Sequence, residues 1–128
     1  MPGNNHHPRA LVVEDDEPIR QMLTKVIQRE DILVESAVDG VEAIERLDDD
    51  GFDVVVLDLM MPRIDGYGVL RYMQEHHPHL LPCTIIASAV PEGEILRKFG
   101  QPVFKIHAKP FDIRELLVDV RRCAEHTA

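Results

Sequence analysis

Five short apolar runs, each followed by a segment of helical periodicity, constrain this chain more than any other feature. The runs are "ALVV" (10–13), "ILVESA" (32–37), "DVVVLD" (53–58), "CTIIAS" (83–88) and "VFKIHA" (103–108). Strands separated by a helix are joined by crossovers and so run parallel, with helices covering both faces of the sheet. A central strand is then buried on both sides and can be apolar throughout, as "VVVL" (54–57) is. Right-handed crossovers leave few topologies. The simplest is an α/β fold with a doubly wound, five-stranded parallel sheet in the order 2-1-3-4-5 and five helices. In such a sheet the ligand site lies beyond the carboxyl ends of the strands.

The intervening segments fit that reading. Residues 17–30 place Ile19, Met22, Leu23, Val26 and Ile27 on one helical face. Residues 39–50 place Val41, Ile44 and Leu47 inward, and Asp39 with Glu42 has the spacing of an N-cap and its reciprocal partner. Val69, Leu70 and Met73 mark a third helix, and residues 92–100 a short fourth. Ile113, Leu116, Leu117, Val120 and Ala124 mark the last. Residues 1–8 are polar, with two prolines and a glycine, and read as a loose tail. The domain is expected over residues 9–125, with 126–128 a short C-terminal end.

A chain of 128 residues can bury a core as one domain. Its net charge of -9 lacks the basic face that direct nucleic-acid binding needs, and opposes docking on an anionic membrane. Cys83 and Cys123 match neither a metal spacing nor a disulfide framework. The start, "MPGNNHHPRA", lacks the apolar stretch of a signal peptide, and no run approaches the roughly 20 residues of a membrane span. A cytoplasmic protein without membrane insertion is expected.

Acids and a lysine gather at the strand ends. Strand one ends in Glu14-Asp15-Asp16, strand three in Asp58, strand four in Ser88-Ala89, and strand five leads into Lys109-Pro110. Converging carboxylates repel, so at least one resists ionisation unless a cation compensates. Mg²⁺ suits such a set: it prefers oxygen, uses one or two carboxylates, and keeps positions open for water and phosphate. The expected ligands are Asp15, Asp58 and a backbone carbonyl just after Asp58, with Glu14 acting through water. Asp58 is the expected nucleophile in phosphoryl transfer, forming an acyl phosphate. Lys109 would stabilise the charge and Ser88 would donate its hydroxyl to a phosphoryl oxygen.

"LVVEDDEPIR", "DVVVLDLMMPRIDG", "IIASA" and "AKPF", in this order, resemble the receiver domain of bacterial two-component response regulators. The resemblance covers roughly residues 9 to 125. The family is flavodoxin-like and shares the 2-1-3-4-5 order, so order and resemblance are one inference rather than two. The resemblance implies that Asp58 is the phosphoacceptor and that Glu14 and Asp15 are the acidic pair. It further implies that Met60 lends its backbone carbonyl to Mg²⁺, that Ser88 is the switch hydroxyl, and that Lys109 contacts phosphate. A cis Lys109-Pro110 bond is implied as well. The implied partners are a sensor histidine kinase or histidine phosphotransfer protein, which donates phosphate, and a downstream effector protein that reads the helix-four, strand-five, helix-five face. The protein would be a monomer or a phosphorylation-dependent dimer. It would catalyse only its own aspartyl phosphorylation and dephosphorylation, not turnover of an external substrate. With no effector segment after the fifth helix, a stand-alone, chemotaxis-regulator-like receiver or part of a longer regulator is expected.

The chain departs from the family in places. The family often has Tyr or Phe three residues before this lysine; here the position is Ile106. Phe104 is expected on the same face as Ile106 by strand parity. Met60 and Val90 flank the acyl phosphate in the family, and neither side chain can orient an attacking water, which implies slow self-dephosphorylation. Two other functions compete. An aspartate-nucleophile phosphohydrolase commonly carries a second acid two residues after the nucleophile, where this chain has Met60. A receiver-like interaction module without switching would fit Ile106, but not the complete acid and lysine set. Asp58, Ser88 and Lys109 taken singly could be a loop cap, a loop hydroxyl and a solvated lysine. "EHHPH" (75–79) is expected to be a solvated loop rather than a metal site.

Overall fold

The computed structural model describes residues 7–49, 51–61 and 63–126. Most of the tail expected over 1–8 therefore lies outside the described residues, as do Pro62 and the last two positions. The strands are β1 (Arg9–Val13), β2 (Leu33–Ala37), β3 (Val54–Leu57), β4 (Thr84–Ser88) and β5 (Lys105–Ala108). The helices are α1 (Glu17–Gln28), α2 (Gly40–Asp49), α3 (Gly66–His76), α4 (Glu92–Lys98) and α5 (Ile113–His126). All strands pair in parallel, in the order β2-β1-β3-β4-β5. The predicted topology is the observed one.

Alternation along the strands makes two cores. Leu11, Val13, Val55, Leu57 and Ile86 face α2, α3 and α4, where Ala43, Leu47, Leu70, Met73 and Ile95 are buried. Ala10, Val12, Val54, Val56, Ile85 and Ala87 face α1 and α5, against Leu23, Ile27, Leu116 and Val120. β3 is buried at every residue because it is central and covered on both sides.

Helix starts follow local chemistry. Asp16 caps α1 by accepting from Ile19 N at 3.4 Å, with a proline in the first turn. Asp39 Oδ1 accepts from Glu42 N at 2.9 Å, and Glu42 Oε1 accepts from Val38 N at 3.0 Å, one residue before the expected reciprocal donor. Asp65 caps α3 through Gly68 N at 3.0 Å.

Several details correct the sequence reading. Ala43 rather than Ile44 is fully buried in α2, with Val41 and Ile44 only half-buried. The histidine-rich segment is not simply a loop: Pro78–Cys83 forms a 3₁₀ helix that buries Leu80 and Leu81. His77 bonds Asp48 Oδ1 at 2.9 Å, and Tyr72 donates to Asp48 Oδ2 at 2.5 Å. Phe104 does not share a face with Ile106. Phe104 packs against the α1/α5 core and Ile106 against the opposite one, because β5 begins only at Lys105 and strand parity does not extend back to Phe104. Among the described residues, no helix is long and apolar enough to cross a membrane.

Candidate functional site

The carboxyl ends of β1, β3, β4 and β5 bring the predicted residues to one rim of the sheet. The strand ladders continue one residue past the strands and fix that rim. Asp58 N donates to Val13 O at 3.0 Å, Glu14 N to Ala37 O at 3.0 Å, and Lys109 N to Ser88 O at 2.9 Å. The nucleophile candidate, Glu14 of the acidic pair and the lysine are thus held by backbone bonds to neighbouring strands. The Lys109-Pro110 bond is cis, as the resemblance implied.

Glu14, Asp15 and Asp58 offer carboxylate oxygens that all lie within 4.8 Å of one another, and no other such group of three occurs among the described residues. Glu14 and Asp58 are buried, at 2% and 5% exposure, while Asp15 is open to solvent. Burial raises the Glu14 carboxyl to about 7, against the hydrogen bonds from Lys109 and Asp16 that lower it. Lys109 Nζ lies 2.7 Å from Glu14 Oε1 and 3.4 Å from Asp58 Oδ2. Burial pulls the Lys109 ammonium down; the hydrogen bond to Glu14 and the charge of Asp58 more than reverse this and leave it raised. The second oxygen of Asp58 accepts from Met60 N at 3.2 Å, so the nucleophile candidate is oriented from both sides.

Ser88 is fully buried, and its Oγ accepts from Val90 N at 3.4 Å. Ile106 is half-buried and packs into the α2/α3/α4 core. Met60 is 60% exposed and lines a groove with Asp15, Met61, Tyr67, Val90 and Lys98. The oxygen-only donor set, with open access at Asp15, fits a hard divalent cation such as Mg²⁺.

A family model, the response regulator receiver domain, matches residues 10–121. This chain belongs to that family. The receiver domain is 34% identical over 119 residues to the response regulator MprA of Mycobacterium ulcerans, covering 93% of this chain and 51% of MprA. It is 34% identical over 110 residues to the transcription factor prr1 of Schizosaccharomyces pombe, covering 86% of this chain and 20% of prr1. The chain thus spans about half or less of these curated relatives. Among solved structures, a Francisella response regulator receiver domain matches with a TM-score of 0.85 and 28% identity, covering 95% of this chain and 100% of that one. The response regulator TrrA of Thermotoga maritima, solved in complex with Mg²⁺–BeF, matches with a TM-score of 0.78 and 25% identity, covering 91% of this chain and 98% of that one.

Sequence reading of this receiver domain missed one contact next to the site. Arg63, in the connection from β3 to α3, donates to Asp39 Oδ2 through Nε at 3.0 Å and through its terminal nitrogen at 2.5 Å. The N-cap spacing announced Asp39 only as a helix cap; nothing local announced a partner 24 residues away.

Proposed function

We propose that residues 9–125 form a phosphorylation switch in two-component signal transduction, with Asp58 as phosphoacceptor. The observation that carries this reading is the Lys109 ammonium reaching both Glu14 and Asp58 at the rim where Asp15 lies open. Glu14, Asp15, Asp58 and the Met60 carbonyl are the residues that would hold Mg²⁺. When bound, the ion supplies Lewis-acid stabilisation of phosphoryl oxygens. A carboxylate oxygen of Asp58 forms the new O–P bond as the P–N bond of a donor phosphohistidine breaks, and the leaving imidazole takes up a proton. Met60 N–H and Lys109 orient Asp58 for that approach. Lys109 then faces the charge on the phosphoryl group. Ser88 exchanges its bond with Val90 N for a phosphoryl oxygen, which moves the connection between β4 and α4.

The donor is a sensor histidine kinase or a histidine phosphotransfer protein, and the reader is a downstream effector protein. Incubation with a small acyl phosphate in the presence of Mg²⁺ labels the wild type and not Asp58→Asn. Absence of label in the wild type overturns the reading. A second reading, an interaction module without switching, is favoured by one observation: an aliphatic Ile106 packed in the core rather than an aromatic side chain. It predicts label on Asp58 with unchanged amide spectra for α4, β5 and α5.

A further inference from the structure

The β3–α3 connection follows the phosphoacceptor candidate directly, and two observations show how it is held. Arg63 adopts a left-handed backbone, with φ 64, which is costly for a residue other than glycine. Such a conformation persists only where the surroundings over-determine it. Here they do so through the Arg63 guanidinium, whose two donors meet the same Asp39 oxygen. Beside this contact the backbones themselves touch: a Cβ on Gly40 would lie 2.0 Å from the Ile64 carbonyl oxygen. The connection therefore rests directly on the first turn of α2.

Stability alone does not account for the ion pair. Arg63 is 61% exposed at its side chain, and pairs open to solvent contribute little. Asp39 is 9% exposed at its side chain and needs no guanidinium to do its work as a helix cap. What the pair does is join two parts of the site. The β2–α2 turn that carries Asp39 is bonded at its start to the site, because Ala37 O accepts from Glu14 N. Its Asp39 then holds Arg63, three residues beyond Met60. Glu14 and the stretch after Asp58 are thereby referenced to one turn.

We infer that Asp39 and Arg63 are positioning residues for the cation site, holding the backbone after Asp58 so that the Met60 carbonyl and the Glu14 and Asp58 carboxylates converge. This rests on the proposed Mg²⁺ reading. Groups bonded directly to a metal's ligands typically change its affinity by about 10- to 100-fold when lost. Asp39 and Arg63, which act on the backbone beyond Met60 rather than on a ligand, belong at the low end of that range.

The charge of Arg63 gives the test its sign. Removing a nearby cation weakens repulsion of Mg²⁺, so a purely electrostatic role makes Arg63→Gly bind more tightly. A positioning role makes it bind more weakly. Glycine accepts φ 64 without strain, so this variant folds, but it loses the guanidinium that fixes the connection in place. Asp39→Asn keeps the cap on Glu42 N and loses the ion pair.

Mg²⁺ alone is titrated into the unphosphorylated protein and read from the amide shifts of Met60 and Gly66, with thermal midpoints measured alongside. Arg63→Gly is expected to weaken Mg²⁺ about tenfold with no fall in the midpoint, and the double variant Asp39→Asn/Arg63→Gly to be no weaker than the weaker single. Affinity in Arg63→Gly equal to or tighter than wild type overturns the inference, as does full additivity in the double variant. A wild type that binds no Mg²⁺ overturns the metal reading, and this inference with it.

Discussion

Lys109 Nζ sits closer to Glu14, at 2.7 Å, than to Asp58, at 3.4 Å. Without a cation, the lysine is the compensating charge for two buried carboxylates. Lys109→Met keeps the apolar stem and leaves those acids uncompensated. A partly buried charge left without its partner costs about 1–3 kcal/mol. The thermal midpoint of this variant is expected to fall in a chelator and to recover in part with Mg²⁺. A midpoint equal to wild type in the chelator would show that the lysine does not perform this compensation.

Cys83 and Cys123 are buried thiols in the α1/α5 core. Burial pushes Cys123 up to about 12 and raises Cys83 as well. The thiolate is the reactive form, so at neutral pH Cys123 offers on the order of a thousandfold less of it than an ordinary thiol. Alkylation of the native protein is expected to be slow at both cysteines and to become fast on denaturation. Native labelling at the rate of a free thiol contradicts the burial described here.

Gly66 marks a place where backbones press together, and Gly51 does not. A Cβ at Gly66 would lie 2.4 Å from Leu59 Cα and 2.6 Å from Asp58 O, neither of which can move without moving the phosphoacceptor candidate. Gly66→Ala is expected to cost about 2–3 kcal/mol and to weaken Mg²⁺ binding. Gly51 has nothing within 4 Å of such a Cβ. Gly51→Ala is expected to be neutral or to stabilise by roughly 0.4–1 kcal/mol through the unfolded chain. Denaturant titration of the pair checks the contrast, which fails if both substitutions cost the same.

The strand order and the rim of the site were legible because both rest on local signals. Apolar runs ending in Glu14, Asp58 and Ser88, with Lys109 just past the last run, place chemistry at the carboxyl ends of strands without knowledge of any contact. The Asp39–Arg63 pair was not legible, because an ion pair between residues 24 apart has no periodicity. The 3₁₀ helix over Pro78–Cys83 was hidden because its apolar residues follow no 3.6-residue period. The face of Phe104 was misread because parity holds only within a strand, and β5 starts one residue later.

Ile106 lines a cleft of about 330 Å³ with Ile86, Ile95, Leu96 and Phe99. Space beside a half-buried side chain lets a larger one enter without forcing its neighbours off their rotamers. Ile106→Tyr is therefore expected to cost less than about 1 kcal/mol, where overpacking of a filled core costs 1–3. A larger loss in thermal unfolding shows the cleft closed to an aromatic ring. With the ring accommodated, comparison of phosphorylated and unphosphorylated spectra tests whether an aromatic side chain here alters the response of α4 and β5.

If Asp58 is the phosphoacceptor, as proposed, the lifetime of its phosphate follows from Met60 and Val90, which the resemblance places beside it. Met60 points into the open groove, and Val90 is buried with its N–H given to Ser88. Neither side chain can hold a water in line with an acyl phosphate, so hydrolysis relies on unoriented solvent. Slow loss of label from the isolated protein is expected; loss within seconds contradicts it. Met60→Asn places an amide at the groove mouth, where it can accept from or donate to a water. Because the substituted side chain is exposed, the change leaves the core intact. Tenfold faster loss corresponds to about 1.4 kcal/mol off the barrier, within the roughly 0.5–1.5 kcal/mol of one hydrogen bond. An unchanged rate in Met60→Asn means that access of water, rather than its orientation, limits dephosphorylation.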